Sequence, residues 1–218
     1  MLRRIVRAMT GEPVDPAEAR AAMVARQLRA RGIEDERVLS AMASVPREAF
    51  LDQRQRDYAY ADEALPIESG QTISQPFVVA RMSELLGSRP GDRILEIGTG
   101  SGYQAAILAA MGCHVTSIER HPGLARQARE RLARVLPDAK VEVRVGDGTL
   151  GAPDGAPWDG IIVTAAAPGI PQALREQLAD GAHLVIPVGT RSRQELLVVT
   201  RHGTNGWNSL TAPWCSSR

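Results

Sequence analysis

The stretch RILEIGTGSGYQ, residues 93–104, decides the fold of this chain. It starts as a short apolar run that carries one acid, Glu96, and it continues into three alternating glycines, Gly98, Gly100 and Gly102. Glycine lets the backbone turn sharply and lets a ligand approach the main chain closely. A helical pattern follows, and the first turn of a helix offers backbone N–H groups without intrahelical partners. The stretch therefore predicts a strand, a turn and a helix that bind a nucleotide.

Strand patterns and helix patterns alternate along the chain from about residue 75. The predicted strands lie at 93–97, 114–118, 141–145, 160–163, 183–188 and 196–200. The predicted helices lie at 76–86, 103–111, 122–136 and 171–178. This alternation implies a mostly parallel sheet that is covered by helices on both faces. The sequence therefore predicts the α/β fold class, as a doubly wound, Rossmann-like sheet.

Residues 1–74 lack that alternation, and we expect them to form a helical cap on the sheet. Asp15 is placed to cap a first helix that ends at Gly32, and Asp35 is placed to begin a second helix. The remaining residues, 75–218, form the ligand-binding core. We expect the cap and the core to pack as one compact unit.

Two stretches of the cap have no regular pattern. Residues 51–70 are loop-like, and we expect Tyr58 and Tyr60 to be its packing points. Residues 1–14 begin basic and then apolar, but their apolar run is too short for a signal peptide. We expect these first residues to be disordered or loosely docked.

Composition excludes several classes of protein. In 218 residues, 44% are hydrophobic, and no apolar run approaches the length of a membrane span. The net charge of +1 gives no indication of a nucleic-acid or membrane surface. Cys113 and Cys215 do not form a disulfide framework, so a reducing cytoplasm fits best. We expect a cytoplasmic monomer.

Polar or glycine-rich groups follow three successive predicted strands. In a doubly wound sheet, ligands bind beyond the carboxyl ends of the strands. Gly98–Gly102 follows the first strand, and Glu119 follows the second, where its carboxylate can accept both hydroxyls of a ribose. Asp147 follows the third and can accept from an adenine amino group. The three together predict a nucleoside site.

The glycine spacing separates two kinds of nucleotide. A dinucleotide site has the pattern G-x-G-x-x-G, whereas this chain has G-x-G-x-G. Tyr103 therefore stands where a dinucleotide site has its third glycine. Glu96 inside the first strand suits a cationic ligand, such as the methionine end of S-adenosylmethionine. The spacing therefore favours S-adenosylmethionine, and a nicotinamide dinucleotide is the alternative.

Longer motifs resemble one enzyme family across about residues 23–201. They are QLRARGI (27–33), VPREAF (45–50), LPI (65–67), GQTISQP (70–76), GDGT (146–149), VTAAAP (163–168), LVIPVG (184–189) and QELL (194–197). With these motifs the chain resembles the protein-L-isoaspartate O-methyltransferases. Many methyltransferases share the glycine loop, whereas residues 70–76 are specific to the reaction centre of this family.

The resemblance implies a protein-repair enzyme built on the S-adenosylmethionine-dependent methyltransferase core. Such an enzyme methylates the free α-carboxylate of L-isoaspartyl residues, so its partners are damaged proteins and peptides. The loop of the cap would then face the substrate. No metal is implied, and His114 and His121 do not have metal-ligand spacing with the cysteines.

Two sets of site residues follow from the patterns and the resemblance. Donor binding is assigned to Glu96, Gly98, Thr99, Gly100, Gly102, Glu119, Asp147, Gly148 and Thr164. Acceptor binding is assigned to Thr72, Ile73 and Ser74, with Ser74 as the catalytic residue. Two plain structural alternatives stay open: Ser74 as the N-cap of the helix that Pro76 starts, and Thr164 as a strand-end residue that bonds its own backbone.

Two departures from the family pattern stand out. Glu68-Ser69 replaces a small or flexible pair, and we expect the Glu68 carboxylate to point to solvent, away from an anionic acceptor. Residues 207–218 lack an alternating pattern, which predicts a lost edge strand, a more open cleft or an altered reading frame, with Cys215 exposed. The alternatives are therefore a relative with a different acceptor, or a donor-binding module with little turnover.

Overall fold

A seven-stranded sheet organises the chain in this computed structural model, which describes residues 15–190, 193–203 and 206–212. The expectations for residues 1–14 and for Cys215 lie outside the described residues. The strands are β1 Leu65–Pro66, β2 Thr72–Ile73, β3 Arg93–Ile97, β4 His114–Glu119, β5 Val141–Val145, β6 Trp158–Val163, β7 Leu178–Thr190, β8 Arg193–His202 and β9 Gly206–Ala212. The α-helices are α1 Pro16–Met23, α2 Glu36–Ser44, α3 Pro76–Leu86, α4 Tyr103–Ala110, α5 Pro122–Val135 and α6 Gln172–Glu176.

The order of the strands confirms the predicted doubly wound sheet. The large sheet runs β5-β4-β3-β6-β7-β8-β9, and β1 and β2 form a separate antiparallel pair. β3 to β7 are parallel, whereas β8 and β9 run antiparallel to their neighbours. Since β3 pairs with β4 on one side and with β6 on the other, the strand order reverses at β3.

Local sequence signals set the ends of the cap helices as predicted. Asp15 accepts a hydrogen bond from the Ala17 amide at the start of α1, and Asp35 does the same for Arg37 at α2. The first helix continues through a π turn and a 3-10 turn, and it ends at Gly32 in the left-handed conformation, with φ of 86°.

The end of the chain corrects the sequence analysis. β9 pairs with β8 from Leu196 opposite Ala212 to His202 opposite Gly206, so the predicted loss of an edge strand is wrong. The alternating pattern is missing because β9 has only one neighbour in the sheet, and the side chains of residues 208–211 are exposed. Backbone hydrogen bonds to β8 therefore define this strand.

Residues 51–70 contain more structure than the predicted loop. Two 3-10 turns, Gln53–Tyr58 and Glu68–Gly70, flank β1. Tyr60 is 3% exposed and packs as expected. Tyr58 is 48% exposed, so its predicted packing role is wrong. Its side chain lies at the end of an exposed 3-10 turn and not over the core.

Cap and core share one hydrophobic cluster. Leu28, Val38 and Met42 of the cap belong to the same buried cluster as residues of the core helices and strands. The Phe50 ring of the cap meets the Tyr103 ring of α4 edge to face, with 5.5 Å between centroids. These contacts support the proposal that both parts form one compact unit.

Replacing Phe50 tests whether cap and core unfold together. The Phe50 side chain is fully buried, so Phe50→Ala should lower the free energy of unfolding by about 3–5 kcal/mol. Denaturant unfolding should still show one transition because the two parts share a core. The control Tyr58→Ala should change the free energy of unfolding by less than about 0.5 kcal/mol. Two separate transitions in the wild-type protein would contradict the single unit.

Candidate active site

A crevice forms where the carboxyl ends of β3, β4 and β6 meet, at the point where the strand order reverses. The Gly98 amide donates to the Ile118 carbonyl of β4 at 2.8 Å. The Thr164 amide, just after β6, donates to the Ile97 carbonyl of β3 at 2.9 Å. These bonds hold the carboxyl ends of β3, β4 and β6 together.

Glycine is required at two places in this crevice because a Cβ atom would collide there. A Cβ on Gly98, whose φ is +96°, would lie 2.6 Å from the Thr164 hydroxyl oxygen. A Cβ on Gly148 would lie 2.3 Å from Cγ2 of Ile97. Protein side chains already fill the space that a Cβ would need, so the chain can pass through both turns only as glycine.

Glu119 anchors the glycine loop, Gly98–Gly102, to the end of β4. Its Oε2 accepts from the Gly100 amide at 2.9 Å, and its Oε1 accepts from the His121 amide at 3.0 Å. Each carboxylate oxygen has two lone pairs, so both keep capacity for a further donor. The predicted role of Glu119 in ribose binding is compatible with this geometry.

Glu96 lies behind the loop and not in the open crevice. It is fully buried, its Oε2 accepts from the Ser117 hydroxyl, and the Ser117 oxygen lies 2.5 Å from the Thr99 hydroxyl. Burial raises the pKa of the Glu96 carboxyl to about 8, with the Ser117 bond opposing this rise and the nearby Glu119 charge adding to it. Glu96 is therefore protonated at neutral pH and supports Thr99 through Ser117.

Asp147 and Thr164 follow the carboxyl ends of β5 and β6. The exposed Asp147 carboxylate accepts from the Thr149 amide at 2.9 Å and from its hydroxyl at 2.8 Å, and these bonds lower the Asp147 pKa. Asp147 is thus held as an anion beside Gly148. The Thr164 hydroxyl donates to the carbonyls of Ile97, at 3.1 Å, and of Gly98. It bonds the neighbouring strand and the glycine loop, so the alternative that it bonds its own backbone is wrong.

One small cavity joins the acceptor residues to the donor residues. Its lining includes Thr72, Ile73, Ser74, Gly98, Thr99, Gly100, Ser101, Tyr103 and Thr164. Gly102 is the last residue of the glycine loop, and a Cβ on it would lie 3.3 Å from the Ala128 side chain. The structure therefore brings residues that are about 90 positions apart in the chain to a single site.

Ser74 is not the cap of α3. Gln75 occupies the N-cap position without a side-chain hydrogen bond to the helix, and Pro76 is the first helical residue. The Ser74 carbonyl accepts from the Arg47 guanidinium at 2.8 Å. The N-cap alternative is therefore wrong, and the Ser74 hydroxyl stays available beside the cavity.

Arg47 is a residue of the site region to which the sequence analysis assigned no role. Its side chain is fully buried, donates to the Ala59 carbonyl at 2.7 Å and to that of Ser74, and lies 5.0 Å from the Tyr103 ring centroid. Burial lowers the Arg47 pKa to about 10, so the group stays charged at neutral pH. The one available signal was its place in the VPREAF motif.

Glu68 corrects another expectation. Its carboxylate does not point freely to solvent, because Oε1 lies 3.1 Å from Nη2 of Arg131 on α5. No local sequence pattern predicts this pairing, because the loop and the helix are far apart in the chain. The Glu68 carboxylate would repel an anionic acceptor, and the Arg131 guanidinium compensates for this negative charge.

The site carries groups of the kind that S-adenosylmethionine would need. Residues 98–101 line the cavity, and Glu119 and Asp147 offer carboxylates for hydroxyl and amino donors. Among residues 15–190, 193–203 and 206–212, no group of three or more His, Cys, Asp or Glu side chains is placed to hold a metal ion.

The free energy of unfolding, measured at several pH values, tests whether Glu96 is protonated in the folded chain. With a folded pKa of about 8 against a usual 4.5, Glu96 holds its proton in the folded chain and loses it in the unfolded chain. Its contribution to stability should therefore fall by about 1 kcal/mol per pH unit as the pH rises between these values. Glu96→Gln does not titrate, so urea unfolding from about pH 5 to about pH 8 should increasingly favour the variant relative to wild type. A constant difference would mean that folded Glu96 is ionised.

The comparisons with known proteins give one consistent family. The family model described as protein-L-isoaspartate(D-aspartate) O-methyltransferase matches residues 19–211. A relative from Methanoregula boonei, named protein-L-isoaspartate O-methyltransferase, is 54% identical over 192 residues, which cover 88% of each chain. A relative of the same name from Methylorubrum extorquens is 53% identical over 199 residues, 91% of this chain and 86% of the relative.

Solved structures support the same assignment. One named protein-L-isoaspartate O-methyltransferase superposes with a TM-score of 0.76 and 29% identity over 84% of this chain, which spans 60% of that structure's chain. A Plasmodium falciparum structure in complex with S-adenosyl-L-homocysteine superposes with a TM-score of 0.73 at 23% identity, over 89% of this chain and 95% of that chain, and shows the shared fold. By its sequence, its sheet and its crevice, the chain belongs to the protein-L-isoaspartate(D-aspartate) O-methyltransferase family.

Proposed function

We propose that this chain transfers a methyl group from S-adenosylmethionine to the free α-carboxylate of L-isoaspartyl residues in damaged proteins and peptides, the reaction of EC 2.1.1.77. One observation carries the proposal: the cavity that joins Thr72–Ser74 to the glycine loop and Thr164. The donor residues alone would suit many methyltransferases. The acceptor residues beside them come from the segment that is specific to this family.

The acceptor needs no general base in this reaction. An α-carboxylate has a pKa of about 3.5 and is already an anion at neutral pH. S-adenosylmethionine supplies an electrophilic methyl group on a sulfonium. The protein therefore has to position two ligands and exclude water, which is a matter of geometry more than of proton transfer. The methyl ester is attacked at its carbonyl by the following backbone nitrogen, and methanol leaves as the succinimide forms. Water then opens the succinimide, partly to normal aspartate.

Donor binding rests on backbone and carboxylates. Residues 98–101 line the cavity, Glu119 would accept from the ribose hydroxyls, and Asp147 would accept from the adenine amino group. Thr99 is held from behind by Ser117 and Glu96. Thr164 fixes the carbonyl of Gly98 and so helps to set the shape of the loop.

Acceptor binding rests on the segment before α3. The Ser74 hydroxyl would donate to the acceptor carboxylate, and the positive end of the α3 dipole favours an anion there. Thr72 would shape the edge of this pocket, and the buried Ile73 would keep water out. Arg47 holds the Ser74 carbonyl from below and adds a buried positive charge to the region.

Neither alternative is favoured by an observation on the structure. A relative with a different acceptor would not need the Thr72–Ser74 segment at the cavity. The low-turnover alternative depended on a missing edge strand, and β9 is present beside β8. Both observations support the repair reaction.

We also propose that the protein works in the cytoplasm as a monomer, without a metal and without a nucleic-acid or membrane partner. Net charge near zero and the buried free thiol of Cys113 support this proposal. In the part of the chain that the structure describes, no helix has the length and apolar character needed to cross a membrane.

Methyl transfer to paired peptides tests the function. Labelled S-adenosylmethionine is supplied with two peptides that differ only in isoaspartate versus aspartate, and base-labile methanol is counted. The isoaspartyl peptide alone should be labelled because only it presents the backbone α-carboxylate. Label on neither peptide, despite measurable donor binding by calorimetry, would overturn the proposal.

Ser74→Ala tests the catalytic residue. The variant should lower kcat/KM for the isoaspartyl peptide by roughly 10- to 100-fold, since one hydrogen bond to a charged group is lost at the acceptor. Its affinity for S-adenosylhomocysteine should stay within about twofold of wild type, because Ser74 is on the acceptor side. Ser209→Ala on the exposed face of β9 is the control. Equal loss of donor affinity and activity would assign Ser74 to the donor side.

A further inference from the structure

The antiparallel pair β1–β2 forms a hairpin over the glycine loop. Leu65 pairs with Ile73 and Pro66 pairs with Thr72, so the hairpin leads directly into the acceptor residues. Cδ1 of Ile67, near its tip, lies 3.7 Å from the position that a Cβ on Gly100 would occupy. Movement of this hairpin would therefore alter both the donor side and the acceptor side of the cavity.

The tip of the hairpin is fastened to α5. Nη2 of Arg131 lies 3.1 Å from Oε1 of Glu68, and the two side chains are 10% and 30% exposed. The Gln127 amide, with its nitrogen turned toward the hairpin, lies 2.8 and 3.1 Å from the Glu68 oxygens. An ion pair that is shielded in this way is screened less by salt than one in open solvent.

The backbone at the tip is strained, which makes an external fastening necessary. Ser69 has a φ of 58°, and among the described residues it is the one residue other than glycine with positive φ. Such a conformation persists when surrounding contacts impose it. The contacts of Glu68, the preceding residue, tie this turn to α5, and Ile67 packs against the hydrophobic core on the other side.

The Glu68 charge also bears on the substrate. Glu68 lies in the hairpin that carries Thr72 and leads to Ser74, and the proposed acceptor is an anion. Two negative charges near each other raise the free energy of binding unless a positive charge compensates. Arg131 supplies that positive charge from α5.

We propose that Glu68 and Arg131 are positioning residues: their ion pair fastens the hairpin over the glycine loop and cancels a charge that would oppose the acceptor. The effect on the acceptor rests on the proposed function. The fastening of the hairpin does not, because it concerns only contacts within the chain.

Arg131→Gln tests the proposal with peptide kinetics. The variant frees the hairpin and leaves Glu68 uncompensated, so KM for the isoaspartyl peptide should rise about two- to fivefold, the range expected for loss of one partly exposed ion pair. The kcat should change by less than about twofold because Ser74 itself is untouched. Arg131→Lys should restore part of the lost affinity, since it keeps the charge.

A double-mutant cycle shows whether Arg131 acts through Glu68. Glu68→Gln should raise KM less than Arg131→Gln does, because it removes the repulsive charge together with the ion pair. In the Glu68→Gln background, Arg131→Gln should have a much smaller effect, because Arg131 Nη2 then keeps only the exposed Asp52 carboxylate, at 3.7 Å, as an ion-pair partner. An equal effect of Arg131→Gln in both backgrounds would overturn the proposal. Arg126→Gln, at an exposed position of α5, is the matched control and should behave as wild type.

Hydrogen exchange gives a readout that does not depend on activity. The Ile67 amide donates to the Gln71 carbonyl at 2.8 Å, and the Gln71 amide donates to the Glu68 carbonyl at 3.2 Å. These amides should exchange about two- to fivefold faster in Arg131→Gln, whereas those in the middle of α5 should not change. Unchanged exchange at the tip would overturn the fastening even if the wild-type protein methylates its peptide. Faster exchange without methyl transfer by wild type would instead refute only the proposed function.

Discussion

The parallel pairing of β3 with β6 is the constraint on which the site depends. It brings the residues after Ile97 against the residues after Val163, with the Thr164 amide bonded to the Ile97 carbonyl at 2.9 Å. The chain must then turn in the narrow space beside the Thr164 hydroxyl, which leaves no room for a Cβ at Gly98. The glycine turn at the start of the predicted donor loop is a consequence of this close approach.

The acceptor side of the site depends on the cap. A buried guanidinium joins three parts of the molecule, because Arg47 contacts the carbonyls of Ala59 and Ser74 and lies against the Tyr103 ring. Burial of such a charge is costly unless its donors are bonded, and here Nε and Nη2 are bonded whereas Nη1 has no hydrogen-bond partner in the described part of the chain. The two backbone bonds of Arg47 fix the segment that carries Ser74. The cap therefore contributes to the active site from within the shared core.

The sequence-based predictions succeeded where residues close together in the chain decide a feature, and they failed where residues far apart in the chain decide it. Glu119 and Asp147 were placed at strand ends by a local pattern, because Glu119 is the last residue of β4 and Asp147 comes two residues after β5. The role of Ser74 as a helix cap was wrong, since Gln75 and Pro76 start α3. β9 was missed because an edge strand with exposed side chains has no hydrophobic alternation. Its partner, β8, is what defines it.

The sequence by itself determined the fold class, the glycine loop and the strand ends that line the crevice. These follow from periodicity and from residues that are neighbours in the chain. Only the tertiary structure decided which charges are neutralised and which are buried. Arg47 meets the Ser74 carbonyl across 27 positions, and Arg131 meets Glu68 across 63. No local pattern encodes such pairs, because they exist only once cap, hairpin and α5 have packed together.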